Sequence, residues 1–134
     1  MLRMFFEYLW LRNRDGLLKT DFKKSLGRVS YHIPCHLRVQ NVGQKTREML
    51  QMVPDTKVNT VERCSGHDGT WGVKSEYFEL SMKIGKPVFK QMASGEPDYV
   101  SSDCAIAGRH ILQGMGTNTQ KQHPLTLIRM AYGL

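Results

Sequence analysis

Arg28-Val29-Ser30-Tyr31-His32-Ile33-Pro34-Cys35 is the stretch on which the fold turns. Its β-branched and aromatic residues read as a short strand from Arg28 to Ile33, and Pro34, which cannot donate to a sheet ladder, stops it. A cysteine follows at once. The same order recurs twice: Lys57 to Glu62 reads as a second strand with Cys64 just beyond it, and Tyr99 to Ser102, after the turn residues Gly95-Glu96-Pro97, as a third with Cys104 straight after it. Between these strands the apolar residues fall at helical period. Gln44 to Met52 is a helix closed by Pro54, Ser75 to Ala93 is a longer one that Pro87 is expected to kink or split, and Cys104 to Gln113 is a third for which Asp103 is suited as the cap. Upstream, residues 2 to 12 read as a helix with Leu2, Phe5, Phe6, Leu9 and Trp10 on one side, ended by Asp15-Gly16. A weak helical turn from Asp21 to Leu26 follows it. Downstream, a loop containing Gly114, Gly116 and Asn118 precedes a last helix with Pro124 in its first turn. Strand and helix in alternation predict an α/β fold, a single domain with a small, mainly parallel sheet flanked by helices.

The composition fits that size of fold. With 134 residues and 40% hydrophobic content, the chain can bury one compact core. No stretch reaches the roughly 18 apolar residues of a membrane span, and the apolar start, Met1 to Leu11, is interrupted by Arg3 and Glu7. It reads as neither a signal peptide nor an anchor, so the cytoplasm is the expected compartment. Three cysteines are an odd number for a disulfide framework, which leaves thiols or thiolate ligands. The formal charge of +7 is spread along the whole chain, without the basic, aromatic-interleaved run of a nucleic-acid groove. No nucleic-acid partner is expected.

In a parallel sheet the three cysteines share one position, the carboxyl edge, where open α/β sheets place their ligands. Scattered core cysteines have no reason to do so, whereas a metal or redox centre needs ligands brought from separate loops. Backbone N–H groups near Cys104, at a helix start, and near Cys64, at a glycine-rich bend, favour thiolate, the form that binds iron. Gly66, Gly69 and Gly72 would let the main chain approach an inorganic core and donate hydrogen bonds to its sulfides. Taken alone, these glycines only make an irregular strand-to-helix loop. His32, His36 and His67 fall near the same edge, and the last two each lie within three residues of a proposed cysteine ligand. A zinc site from Cys35, Cys64, Cys104 and one histidine is the chemical alternative, although the local CxxC or HxxxH pair of structural zinc is absent. Gly85-Lys86-Pro87 lacks the glycine spacing and the Ser or Thr of a phosphate-binding loop.

Three ordered motifs carry a family resemblance: Tyr31-His32-Ile33-Pro34-Cys35-His36, then Cys64-Ser65-Gly66-His67-Asp68-Gly69-Thr70-Trp71-Gly72-Val73-Lys74, then Ser102-Asp103-Cys104-Ala105-Ile106-Ala107-Gly108. Over residues 28 to 130 the chain resembles the cysteine-rich CCG domain. That domain occurs in heterodisulfide reductase B subunits, in glycolate and lactate oxidation iron–sulfur proteins, and in the C subunit of anaerobic glycerol-3-phosphate dehydrogenase; the ending of this last type also fits His123-Pro124-Leu125-Thr126-Leu127. The family pattern is a first cysteine, a Cys-Cys-Gly and a final Cys-x-x-Cys. This chain departs from it at Ser65 and at Ala107, each standing where a cysteine is expected.

The resemblance implies an iron–sulfur cluster, 4Fe-4S or 3Fe-4S, on Cys35, Cys64 and Cys104, with a fourth ligand from His67, His36, Ser65 or Asp103. It implies a non-catalytic electron-transfer subunit that works between a flavin-containing dehydrogenase subunit and a quinone or other carrier, peripheral on the inner face of the cell membrane. The two departures imply an alternative: a degenerate domain, without a cluster or with zinc, acting as a structural or interaction module. Residues 1–27 are expected to be a helical lead-in and residues 28–134 the CCG-type domain. Family members usually carry an N-terminal ferredoxin-like region, so the chain reads as a fragment. Its first helix is accordingly expected to expose an apolar face, or to dock that face on a partner or membrane surface.

Overall fold

A computed structural model describes residues 5–35, 43–66 and 74–134. Its elements, in order, are α1 (Phe5–Arg14), β1 (Gly27–His32), α2 (Gly43–Gln51), β2 (Thr56–Val61), a 3-10 turn (Ser75–Tyr77), α3 (Phe78–Ala93), β3 (Tyr99–Ser102), α4 (Ala105–Met115), β4 (Gln120–Lys121) and α5 (Pro124–Ala131). The four strands form one sheet in the order β2-β1-β3-β4, and every pairing is parallel. It is an α/β fold, as the alternation of strand and helix predicts.

Side chains alternate across a strand, so β1 serves both faces of the sheet. Val29, Tyr31 and Ile33 pack with Met49 and Leu50 of α2 and with Leu127, Ile128 and Ala131 of α5. On the other face Val61 and Val100 pack with Val88, Phe89 and Met92 of α3 and Ile111 of α4. The chain steps from β1 through α2 to β2, then crosses back over β1 through α3 to β3. That reversal of direction puts the two connecting helices on opposite faces, as right-handed crossovers require.

Several local expectations are corrected. Residues 21 to 26 form no helical turn: Lys23 and Lys24 N–H groups both donate to the Ala131 carbonyl, at 2.7 and 3.0 Å, and Phe22 lies against the Tyr132 ring. The contact with the end of α5 holds this segment extended. Of the kink or split expected at Pro87, the split is absent: the helix runs through, because Gly85, Val88, Phe89 and Met92 on both sides of it are buried against the core, and packing outweighs the lost N–H. The change in winding falls earlier, where the 3-10 turn meets α3. Asp103 does not cap α4. Cys104 occupies the cap position without a side-chain cap bond, and the Asp103 carboxylate accepts from the Tyr31 hydroxyl instead. Strand β4 lies where a loop is expected, its two residues drawn into line by parallel pairing with Tyr99 and Val100. In α1, Phe6 is buried while Phe5 is 52% exposed, and Leu9 and Trp10 pack on the core. Leu2 lies outside the described residues.

Candidate metal centre at the carboxyl edge

The sheet register sets where the cysteines leave it. His32 at the end of β1 pairs with Val61 of β2 on one side and with Ser102 of β3 on the other. Cys35 lies three residues past His32, Cys64 three past Val61 and Cys104 two past Ser102. Neighbouring strands run about 4.8 Å apart. The three cysteines thus leave adjacent parallel strands at one level, and Cys35 and Cys104 flank the point where the winding reverses, the position at which such sheets open a crevice. Cys35 is exposed, Cys64 and Cys104 are half-buried, and none is in a disulfide. Among the described residues, no group of three or more His, Cys, Asp or Glu side chains stands close enough to hold a metal ion. His36, His67 and Gly69 lie outside the described residues, as do the segments 36–42 and 67–73 that follow Cys35 and Gly66.

Around these positions the polar groups connect one strand end to the next. His32 is buried, with Nε2 2.7 Å from the Arg63 carbonyl oxygen and Nδ1 3.4 Å from Ser102 Oγ. A carbonyl only accepts, so the proton sits on Nε2 and Nδ1 faces the Ser102 hydroxyl as an acceptor. Ser102 Oγ in turn accepts from the Cys104 N–H at 3.3 Å. One histidine on the central strand therefore joins the residue before Cys64 to the backbone of Cys104. On the other face the Tyr31 hydroxyl donates to Asp103, next to Cys104. Burial first, and the Asp103 charge second, push the Tyr31 hydroxyl well above the ordinary tyrosine range, so it remains a donor.

The Cys64 loop is shaped by close backbone packing. The Gly66 N–H points to Cys64 Sγ at 3.4 Å, the kind of donor that stabilises a thiolate. Gly66 turns at φ +84°, and a Cβ there would collide with the Ser81 carbonyl of α3. A Cβ on Gly85 would collide with the Ser65 carbonyl. The bend therefore lies backbone to backbone on α3, and the space vacated at Gly66 is filled by that helix. Ser65 and Ala107, at the two positions where the family pattern has cysteine, are both buried. Of the groups that tie this edge together, the residue order places His32 near it without a role and gives no sign of Ser102 or Ser81. A serine or histidine inside a strand or helix carries no signal of its partner when that partner is 15 to 70 residues away.

Among the described residues no helix is long and apolar enough to cross a membrane. No solved structure matches the chain. The C subunit of the anaerobic glycerol-3-phosphate dehydrogenase of Escherichia coli is 33% identical over 126 residues, which cover 92% of this chain and 31% of that protein. An uncharacterized iron–sulfur protein of Methanocaldococcus jannaschii is 35% identical over 98 residues, 72% of this chain and 19% of that protein. The B subunit of the fumarate reductase (CoM/CoB) of Methanothermobacter marburgensis is 32% identical over 114 residues, 78% of this chain and 23% of that protein. The chain thus spans about a third or less of the length of these relatives. Residues 29–110, which contain all three cysteine positions, match the family model of the cysteine-rich domain, CCG, and the chain belongs to that family.

Proposed function

We propose that this chain is an iron–sulfur electron-transfer module of an oxidoreductase complex, with Cys35, Cys64 and Cys104 as thiolate ligands of a 4Fe-4S or 3Fe-4S cluster. The observation that carries the reading is the common exit level of the three cysteines on adjacent parallel strands. Thiolates suit iron–sulfur centres: none of the three cysteines is in a disulfide or fully buried, and Cys64 already has a backbone N–H directed at its sulfur, while the three side chains do not stand together as a metal-binding group before a cluster draws them in. Such a cluster, when bound, supplies one-electron transfer. The chain's own residues hold and tune it: Gly66 donates toward sulfur, His32 and Ser102 fix the backbones next to Cys64 and Cys104, and the positive charge of the chain offsets an anionic cluster. His36, His67, Ser65 and Asp103 are the proposed sources of a fourth ligand.

The relatives named as subunits of a dehydrogenase and a reductase support a place within a larger complex. The proposed donor is a flavin-containing dehydrogenase subunit and the proposed acceptor a quinone or another carrier, on the cytoplasmic side of the membrane. Residues 28–134 form the proposed cluster domain and 1–27 its lead-in. Protein purified or reconstituted without oxygen is expected to be brown and to contain iron and acid-labile sulfide, with both lost when Cys35, Cys64 and Cys104 are replaced together by alanine. Colourless wild-type protein without iron after reconstitution would end the proposal, and zinc in the same elemental analysis would replace it with the zinc alternative.

One observation favours a second reading. Ser65 and Ala107 are both buried at positions where the family has cysteine, as packed residues of a scaffold would be. A domain that serves only as an interaction module keeps its fold and its partner when the three cysteines become alanine, which separates it from the first reading.

A further inference from the structure

Ser81, near the start of α3, is completely buried, and its hydroxyl donates to the Gly66 carbonyl at 2.5 Å. Serines inside helices ordinarily bond back to their own helix, but this one reaches out to a loop. With its proton committed there, Ser81 Oγ accepts from His110 Nε2 at 3.1 Å, which places a proton on that nitrogen. His110 is 7% exposed, and its ring meets Phe89 edge-on with centroids 5.5 Å apart. Phe89 fits beside it only because Gly85 and Gly114 have no side chain, since a Cβ on either would collide with the Phe89 ring.

Both ends of this connection lead to a cysteine. Gly66, at one end, directs its N–H to Cys64 Sγ. His110, at the other, belongs to α4, whose cap is Cys104 and whose Gly108 N–H donates to the Cys104 carbonyl at 2.9 Å. We propose that the Ser81–His110 pair is a positioning device that sets the separation of Cys64 from Cys104 by tying the loop of the first to the helix of the second. The inference rests on the iron–sulfur reading for what the two sulfurs hold, whereas the tie itself is a property of the chain alone.

The test uses the full chain with Ser81→Ala, His110→Leu and His110→Gln, each verified as folded by circular dichroism. Gln can place an N–H where the imidazole had one, so it is the conservative variant. In reconstituted protein, Ser81→Ala and His110→Leu are expected to lose iron to a chelator about tenfold faster than wild type, the factor that corresponds to one buried hydrogen bond, and His110→Gln to stay near the wild-type rate. In metal-free protein, iodoacetamide followed by peptide mass spectrometry is expected to label Cys64 faster in the first two variants, with Cys35 unchanged. Wild-type labelling of Cys64 in both Ser81→Ala and His110→Leu overturns the proposal. If wild-type protein takes up no iron, the iron–sulfur reading fails and the labelling rates alone decide whether the tie exists.

Discussion

The two ends of the sheet use similar polar groups for different ends. At the amino end the bonds close the structure: Gly27 turns at φ +70° against Asp98, whose carboxylate accepts the Arg28 N–H at 2.9 Å, Arg28 Nη1 donates to the Gly95 carbonyl at 2.8 Å, and Leu26 N–H meets Thr56 Oγ1 at 3.1 Å. Arg28, Asp55, Lys57 and Asp98 line the cavities at this end, and no cysteine or histidine is among the residues that line them. At the carboxyl end the bonds run between the segments that carry cysteines, through His32, Ser102, Tyr31 and Asp103, and the thiols remain half-buried or exposed. One end holds strands in register. The other links the segments through which the chain leaves the sheet toward its three cysteines.

That contrast breaks most sharply at Gly66. Gly66→Ala puts a Cβ into the α3 backbone at a left-handed φ, and about 2–4 kcal/mol of stability should be lost in urea unfolding, together with most of the iron of the proposed cluster in reconstituted protein. An alanine variant of wild-type stability would mean that the loop does not rest on α3 as described. Asp98→Ala, at the opposite end, should cost about 1 kcal/mol through the Arg28 N–H and leave the iron content unchanged. If it lowers iron per chain as well, the two ends are not separable.

The smallest effect belongs to Tyr31. Its hydroxyl keeps its proton to higher pH when folded than the ordinary value of 10.0 in the unfolded chain. Between these two values the folded state binds the extra proton, so the contribution of this group to stability is constant with pH below 10.0 and falls as pH rises above it. Tyr31→Phe should flatten that alkaline loss while lowering neutral-pH stability by about 1 kcal/mol. Equal alkaline slopes for the two proteins would rule out the buried Tyr31–Asp103 bond.

Much of the fold is legible in the residue order because its signals are local. The run from Val29 to Ile33 alternates between two buried faces, Pro34 ends it, and the same pattern before Cys64 and Cys104 places three strands to within a residue or two. Where local signals mislead, a distant partner decides. Residues 21 to 26 are held by the carbonyl of Ala131, Asp103 is drawn from its cap position by Tyr31, and β4 exists only through its pairing with β3.

For the candidate site the same boundary applies. The residue order alone determined that each cysteine stands just past a strand, since strand period and proline stops act over a few neighbouring residues. Only the tertiary structure decided that the strands are adjacent and parallel at one level, that His32 links the ends of two of them, and that Gly66 rests on α3 through Ser81, which His110 of α4 meets in turn. Those are contacts between residues far apart in the chain. Their geometry is set by the packing of whole elements, which no short window of sequence encodes.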